Sequence, residues 1–432
     1  MRYFIQRVTT LLRQHPLFSV VYILGTALSV ALVMVLFIIF YVKWAPVYPE
    51  GNRQRTVVLQ YIQCESLDGS GYMSSLVSRY AADHLLKDLP HQEAMALTSR
   101  SFSSNINLVN ATKQDAPQRV APLYVNDGFW KVFTFRFLSG KGFTEAEEKA
   151  SLPLAVLSSA LARQLFATDD AVGKEFFFNG RAFRVSGVVE DVSWATPATA
   201  ADLWLPLSFD PYASSKLDDP EILRGNLMVY MTAPTVEEKE ALKVEVREAF
   251  RRYNAQCRSF HNLIYDQPDD YWKSGFRVNS TLPLSESLRP FVIFLLALLF
   301  IPSLNLSGII ASRMGGRIEE LGIRKVYGAS NMTLFRQVLH ENFLFTALGS
   351  LLGIVICWLL LTCFAGWLFS VIELGEATEN EYPVVLPAQM LFHPVVFLAA
   401  LVYCWVLNVL SAWLPALWLL RKSIVDQLHR HA

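Results

Sequence analysis

The residue types that carry enzyme chemistry are present but scattered. Eight histidines occur with no HExxH and no pair at ligand spacing, so the sequence offers no metal site. No GxSxG elbow appears. The SGKGF stretch, Ser139–Phe143, has the glycine and lysine of a phosphate loop, but Phe135 stands where GxxxxGK[ST] needs glycine. No nucleotide site and no catalytic group are therefore expected in this chain. Cys357, Cys363 and Cys404 fall in apolar runs, where cysteine packs as a small hydrophobe. Cys64 and Cys257 could pair in an oxidising compartment or stand as two separate thiols. Asn110-Ala111-Thr112 fits a glycosylation sequon.

The other chemistry on offer is recognition. Residues 313–341 carry Arg313, Arg317, Arg324, Lys325 and Arg336, with Gly315, Gly316, Gly322 and Gly328 at turn-like positions. Glu320 and Arg324 stand four apart, a spacing that pairs them on a short helix, and Glu319 stands likewise to Ile323. Ile323 and Val326 add apolar knobs. Such a segment suits docking to a partner; its Arg317, Arg324 and Lys325 also suit anchoring to anionic lipid.

The elements that hold this segment are apolar. Of 432 residues, 53% are hydrophobic and only 18% charged, and 38 basic residues balance 38 acidic ones. That mixture predicts membrane helices joined to a sizeable domain outside the bilayer, and its neutrality gives no sign of a nucleic-acid partner. Residues 1–16 space their apolar side chains as an amphipathic surface helix would, and His15-Pro16 ends it. Spans are predicted at 17–42, 290–312, 342–372 and 393–420. The first carries a face of small residues, Gly25, Ala27, Ser29 and Ala31, and the third has Gly349 and Gly353 in a small-xxx-small pattern suited to helix contact. Pro302 predicts a bend in the second, where Asn305 can satisfy itself between helices or bind a substrate. None of the spans contains Asp, Glu, Lys or Arg, which proton- or cation-coupled transporters need at the midplane, so energy must come from a partner. Lys and Arg flank the N-terminus, the 313–341 loop and the 421–432 tail but are missing from the acidic 373–381 stretch of the short 373–392 loop. Both termini and the basic loop are thus expected in the cytoplasm, and 43–288 outside.

Within 43–288, Arg55–Cys64 reads as a strand and Met73–Leu89 as a helix. Asn226–Thr232 reads as a strand, and Thr235 with Glu238 opens a helix whose apolar face is Leu242, Val246, Ala249 and Phe250. A strand at Ser259–Tyr265 should follow. A smaller lobe is expected at about 115–212: a strand at Ala121–Asn126, a short helix at Asp127–Phe133, turns at Gly140 and Gly142, a strand-to-helix run at Leu154–Phe166, a hairpin about Asn179-Gly180 and a strand near Asp202–Leu207. The fold class is an α-helical membrane protein with four transmembrane helices plus an α+β two-lobed extracytoplasmic domain inserted after the first helix.

With these features assembled, the chain resembles the MacB/FtsX-type permease subunits of ABC transporters. RIEELGIRKVYGAS, Arg317–Ser330, is similar to that family's R-x-x-E-[IL]-G-[IL]-R-[KR]-x-x-G-A-[ST] signature, and Gln337, Glu341 and Asn342 match the run after it. FWKVFTFRFLSGKGFT, AVLSSALARQLFA and AVGKEFFFNGRAFRVSGVVED resemble the family's outer domain. The tail LPALWLLRKSIVDQL departs from the family pattern at Leu420 and Ile424, where alanine and proline are frequent. The resemblance implies a dimer, homomeric or with a sister permease, engaged by a separate cytoplasmic ATPase that binds ATP and Mg. It implies ATPase coupling through Arg317, Glu319, Glu320, Gly322, Ile323, Arg324, Lys325 and Gly328, and mechanotransmission to the outer domain. Export of a peptide, lipoprotein or drug-like compound follows, with a periplasmic adaptor as a further partner. The other expectation is an envelope regulator that moves nothing.

Overall fold

The computed structural model describes residues 16–69, 71–100, 107–212, 221–277, 330–372 and 393–406, with a few isolated positions between 285 and 328. The chain forms two compact units. One comprises Met1–Tyr41, Pro290–Leu368 and Leu386–Ala432; the other comprises Val42–Arg289 and Phe369–Val385.

In the first unit a helix runs over Pro16–Trp44, with proline in its first turn, where the missing N–H costs nothing. Its Ser19–Trp44 portion and Thr346–Leu368 are long and apolar enough to cross a membrane, and Pro394–Val406 is a shorter apolar helix. The predicted spans at 17–42 and 342–372 fall on these helices. The 290–312 span, apart from three isolated positions, and the 407–420 part of the fourth lie outside the described residues, as do the 1–15 helix, Pro302, Asn305, the 373–392 loop and the tail. The second long helix covers Asn331–Ile372, so the last eleven residues assigned to the basic loop are helical. Ser330 starts it by accepting a hydrogen bond from Thr333 N at 3.2 Å, and no proline or glycine interrupts it before Gly349.

Gly349 and Gly353 do mark a helix contact. A methyl group on Gly349 would stand 2.8 Å from Thr26 Cβ, and one on Gly353 2.8 Å from the Ala27 carbonyl oxygen. Thr26 and Ala27 are buried there, and only glycine lets the two backbones approach so closely.

The second unit is α+β. Its strands are β1 Thr56–Leu59, β2 Tyr61–Ser66, β3 Tyr72–Val77, β4 Ala94–Ser99, β5 Leu108–Asn110, β6 Gln118–Arg119, β7 Pro122–Val125, β8 Phe137–Gly140, β9 Leu154–Ser158, β10 Glu175–Phe178, β11 Arg181–Val189, β12 Leu203–Pro206, β13 Arg224–Gly225, β14 Met228–Thr232, β15 Phe260–Leu263 and β16 Asp269–Asp270. Twelve form one sheet in the order β16-β1-β14-β4-β7-β12-β9-β11-β10-β5-β6, with β8 also on β11. A four-stranded sheet has the order β13-β3-β2-β15. Most pairings are antiparallel; β12 with β7 and β11 with β9 are parallel. The segment at 115–212 is joined to the rest through the β4–β7 pairing, Thr98 opposite Val125, so both expected lobes contribute strands to the large sheet.

Alternation sorts the central strands onto two faces. Val57, Leu59, Leu97, Leu157, Leu203 and Val229 join one core with Leu86, Leu242, Val246 and Phe250. Val58, Ala96, Val156, Trp204 and Tyr230 join the other with Phe129, Val132, Phe133 and Phe143. The helix over Lys239–Asn254 buries the expected Leu242, Val246, Ala249 and Phe250. Thr235 Oγ1 accepts from Glu238 N at 3.3 Å ahead of it. The hairpin at Asn179-Gly180 has positive φ at both residues, 48° and 79°, as its turn type requires.

Two local expectations are corrected. Met73–Leu89 is not one helix: β3 takes its first part, pairing Leu76 with Tyr61 and Met73 with Cys64, and a short helix and one π-turn take Arg79–Ala81 and Ala82–Leu86. The periodic apolar spacing there is overruled by strand pairing. Arg55–Cys64 is not one strand either. Gln267 inserts its side chain at Gln60, its Oε1 accepting from Gln60 N at 3.0 Å and Tyr61 N at 3.2 Å, and the chain passes from the large sheet to the small one.

Candidate functional site

Of the predicted coupling residues, Gly328 alone lies among the described ones; Arg317, Glu319, Glu320, Gly322, Ile323, Arg324 and Lys325 lie outside them. Gly328 has φ +90°, a left-handed turn that suits glycine. It leads within two residues into the Ser330 cap, where Ser330 Oγ and Thr333 Oγ1 also meet at 2.8 Å. Tyr327 beside it is 87% exposed, and Met332, Thr333 and Arg336 on the first helical turns are exposed too. Tyr327 and Met332 are missing from the sequence-based set because nothing in their types marks them. They stand on either side of a capped helix start.

The second feature had no sequence signal. It is a buried ionic cluster at the start of the outer domain, immediately after the Pro16–Trp44 helix. Arg53 and Glu50 are both buried and joined by two hydrogen bonds, Nε to Oε2 at 2.7 Å and Nη2 to Oε2 at 2.5 Å. Arg53 Nη1 also donates to the carbonyl oxygens of Val42 and, at 2.8 Å, Ala45. These are orphan carbonyls at a helix C-terminus, where a cation is doubly favoured. Burial opposes the guanidinium charge, but Glu50 and Tyr271 together outweigh it and hold Arg53 above its ordinary value. The other oxygen of Glu50 accepts from Thr199 Oγ1 at 3.0 Å. The carbonyl of Thr199 in turn accepts from Trp204 Nε1 at 3.1 Å. The guanidinium lies 5.2 Å from the ring centre of buried Tyr271. One arginine thus touches a helix end and the chain after β16, and through Glu50 it is tied to the segment near Thr199.

That last stretch is itself held by charge. Arg277 makes a bidentate pair with Asp269, one arm at 2.9 Å, and both residues are buried. Asp270 accepts from Lys243 at 2.7 Å, Lys239 at 2.9 Å and Lys273 at 3.1 Å. Burial alone would raise the Asp270 carboxyl, yet the three lysines hold it well below the usual carboxylate range. The arrangement does no bond chemistry. What it can do is keep three chain segments in register, since removing one partner leaves a buried charge uncompensated.

Elsewhere the cysteines are free thiols. Cys64 Sγ donates to Asn262 Oδ1 at 3.0 Å, Cys257 Sγ to the Tyr253 carbonyl at 3.5 Å, and burial pushes the Cys64 thiol up to about 11. Among the described residues no group of three His, Cys, Asp or Glu side chains gathers as metal ligands.

Comparison with known proteins places these features. The MacB-like periplasmic core domain matches residues 19–249, more than half of the chain, and the FtsX-like permease C-terminal domain matches 292–424. The uncharacterized ABC transporter permease YknZ of Bacillus subtilis is 21% identical over 249 residues, covering 56% of this chain and 58% of that protein. The macrolide export ATP-binding/permease protein MacB of Pasteurella multocida is 24% identical over 249 residues, 57% of this chain and 35% of its own length. The pyoverdine export ATP-binding/permease protein PvdT of Pseudomonas syringae is 24% identical over 237 residues, covering 53% and 33%. The chain therefore spans between one third and three fifths of these relatives. Among solved structures, the extracellular domain of YknZ aligns over 48% of this chain and 99% of its own at 11% identity and TM-score 0.33. The periplasmic region of MacB from Actinobacillus actinomycetemcomitans aligns over 48% and 88% at 13% identity and TM-score 0.31. The outer-domain and C-terminal matches flank the two ends of one chain in family order, and the chain belongs to the MacB/FtsX-type ABC transporter permeases.

Proposed function

We propose that this chain is the membrane subunit through which a separate cytoplasmic ATPase, holding ATP and Mg, drives conformational change in a periplasmic domain. The observation that carries this reading is the pair of domain matches, 19–249 and 292–424, with the Arg317–Ser330 signature inside the second. In this reading the chain crosses the membrane four times with both termini in the cytoplasm, the signature faces the ATPase, and a second permease subunit completes the unit. The cargo class is a peptide, lipoprotein or drug-like compound, in keeping with relatives named for macrolide and pyoverdine export. A periplasmic adaptor fits the same reading. The Arg53 cluster suits mechanotransmission, because displacement of the carbonyls it grips would carry Glu50, Thr199 and Tyr271 along.

The test is charge reversal at Arg324 and Lys325 in the full chain, with co-purification of the ATPase and ATP-dependent function as readouts. Loss of both, with an unchanged melting temperature, is the expected result. Full ATP-dependent function in the reversed variant overturns the docking assignment. Reconstituted vesicles that show ATP-driven response without movement of any cargo would point instead to an envelope regulator.

A further inference from the structure

The Asp269–Arg277 segment has a second side. Its inner side is fixed by the Arg277–Asp269 pair and the lysines on Asp270. Its outer side carries Trp272 and Phe276, while the Lys273 ammonium turns back to Asp270 at 3.1 Å. The Trp272 ring, 39% exposed, meets Phe276 edge-on at 6.5 Å, and Lys273 Nζ stands 5.5 Å from the Trp272 ring centre. Lys43 Nζ lies 5.8 Å from the ring centre of Phe276. Lys43 and Trp44 are the last residues of the Pro16–Trp44 helix, and Trp44 is 69% exposed. Twelve residues separate Arg277 from Pro290, enough extended chain to reach about 40 Å. Nearness in sequence to the next apolar stretch therefore does not place this segment. The Lys43–Phe276 contact does, since Lys43 marks the level at which the apolar run of the first helix ends.

We propose that Trp272 and Phe276, together with Lys43 and Trp44, form a membrane-seating face whose partner is the phospholipid headgroup layer. Indole rings concentrate at this layer because their apolar faces and N–H groups each find a match there. Lysine stems lie along apolar surface while their ammonium groups meet lipid phosphates. The buried ion pairs explain how a helix of only four residues, Tyr271–Ser274, can hold such a face rigidly. The two ends of the outer domain then rest on the bilayer as one support. This inference rests on reading Pro16–Trp44 as a membrane span and is independent of any cargo.

The experiment places the photo-crosslinker p-benzoylphenylalanine at position 272, at position 44 and, as a control, at exposed Tyr72 on β3, in the full chain. The protein is irradiated in nanodiscs of phosphatidylethanolamine and phosphatidylglycerol and searched for phospholipid adducts by mass spectrometry. Adducts at 272 and 44 at least ten-fold above those at 72 are expected. Adducts at 44 without adducts at 272 overturn the seating face and leave the span intact. Absence at both overturns the span reading and the face with it. Cross-linking of position 272 to protein rather than lipid also overturns the proposal and assigns the face to a protein partner. Position 276 supplies the probe if the variant at 272 does not accumulate.

Discussion

The buried cluster around Arg53 and the helix contact at Gly349 and Gly353 solve the same problem in opposite ways. Each holds two chain segments in one relative position. The cluster does so with charge, and its strength lies in direction: one guanidinium has fixed angles to Glu50, to two helix carbonyls and to Tyr271. The helix contact uses no charge and few polar groups, and its strength lies in closeness, since a single added methyl would collide with Thr26 or with the Ala27 carbonyl. Directional bonds resist rotation and separation alike. A smooth, close-packed surface resists separation but offers less against sliding. Within one chain, the rigid joint therefore sits at the head of the outer domain, and the contact built for small adjustments lies between apolar helices.

The largest effect is expected from Arg53→Met. Leaving Glu50 buried without its partner should cost about 3–5 kcal/mol, read as a lowered unfolding midpoint of the full chain in detergent. Adding Glu50→Leu should recover much of that loss, because a well-packed apolar pair can replace a buried ion pair. A double variant no better than the single one would mean that the helix carbonyls, not Glu50, are the main partner. Next comes Gly349→Ala, for which overpacking of about 1–3 kcal/mol is expected. Thr26→Gly should compensate it, and failure to do so would show that the Ile23 carbonyl at 3.2 Å is the true obstacle.

A smaller and pH-dependent change is expected at Asp270. Its folded carboxyl titrates below the ordinary value, so the stability it adds is fully present above about pH 4 and is lost as pH falls through the lowered value. Asp270→Asn should therefore lower stability at pH 7 and flatten the acid limb of the unfolding curve. An unchanged acid limb would assign that limb to other carboxylates. The smallest effect, none at all, is expected from reducing agent, because Cys64 and Cys257 are separate thiols with their own acceptors. A drop in melting temperature on reduction would contradict this.

What could be read from the sequence was local. Asn179-Gly180 between alternating strands, the Leu154–Phe166 run and the Lys239–Asn254 face each carry their signal within a dozen residues, and each appears as read. Met73–Leu89 misled because its apolar spacing fits a helix while its first residues pair with β2. The Arg53 cluster was invisible because Glu50 takes its other bond from Thr199, 149 residues on, and Tyr271 is farther still. The small residues at Gly349 and Gly353 were legible because close helix contact leaves a compositional trace. A buried arginine leaves none.

Strand β1 has a consequence for how the protein is made. It sits between β14 and β16, with Thr56 opposite Thr232 and Val57 opposite Asp270. Both neighbours are synthesised long after it. Until residue 270 has emerged, β1 keeps an open hydrogen-bonding edge, and this end of the large sheet cannot close. Pairings of such long sequence separation make folding slow and leave intermediates prone to wrong partners. Closure of that end of the sheet therefore waits until nearly the whole domain, through Asp270, has been synthesised.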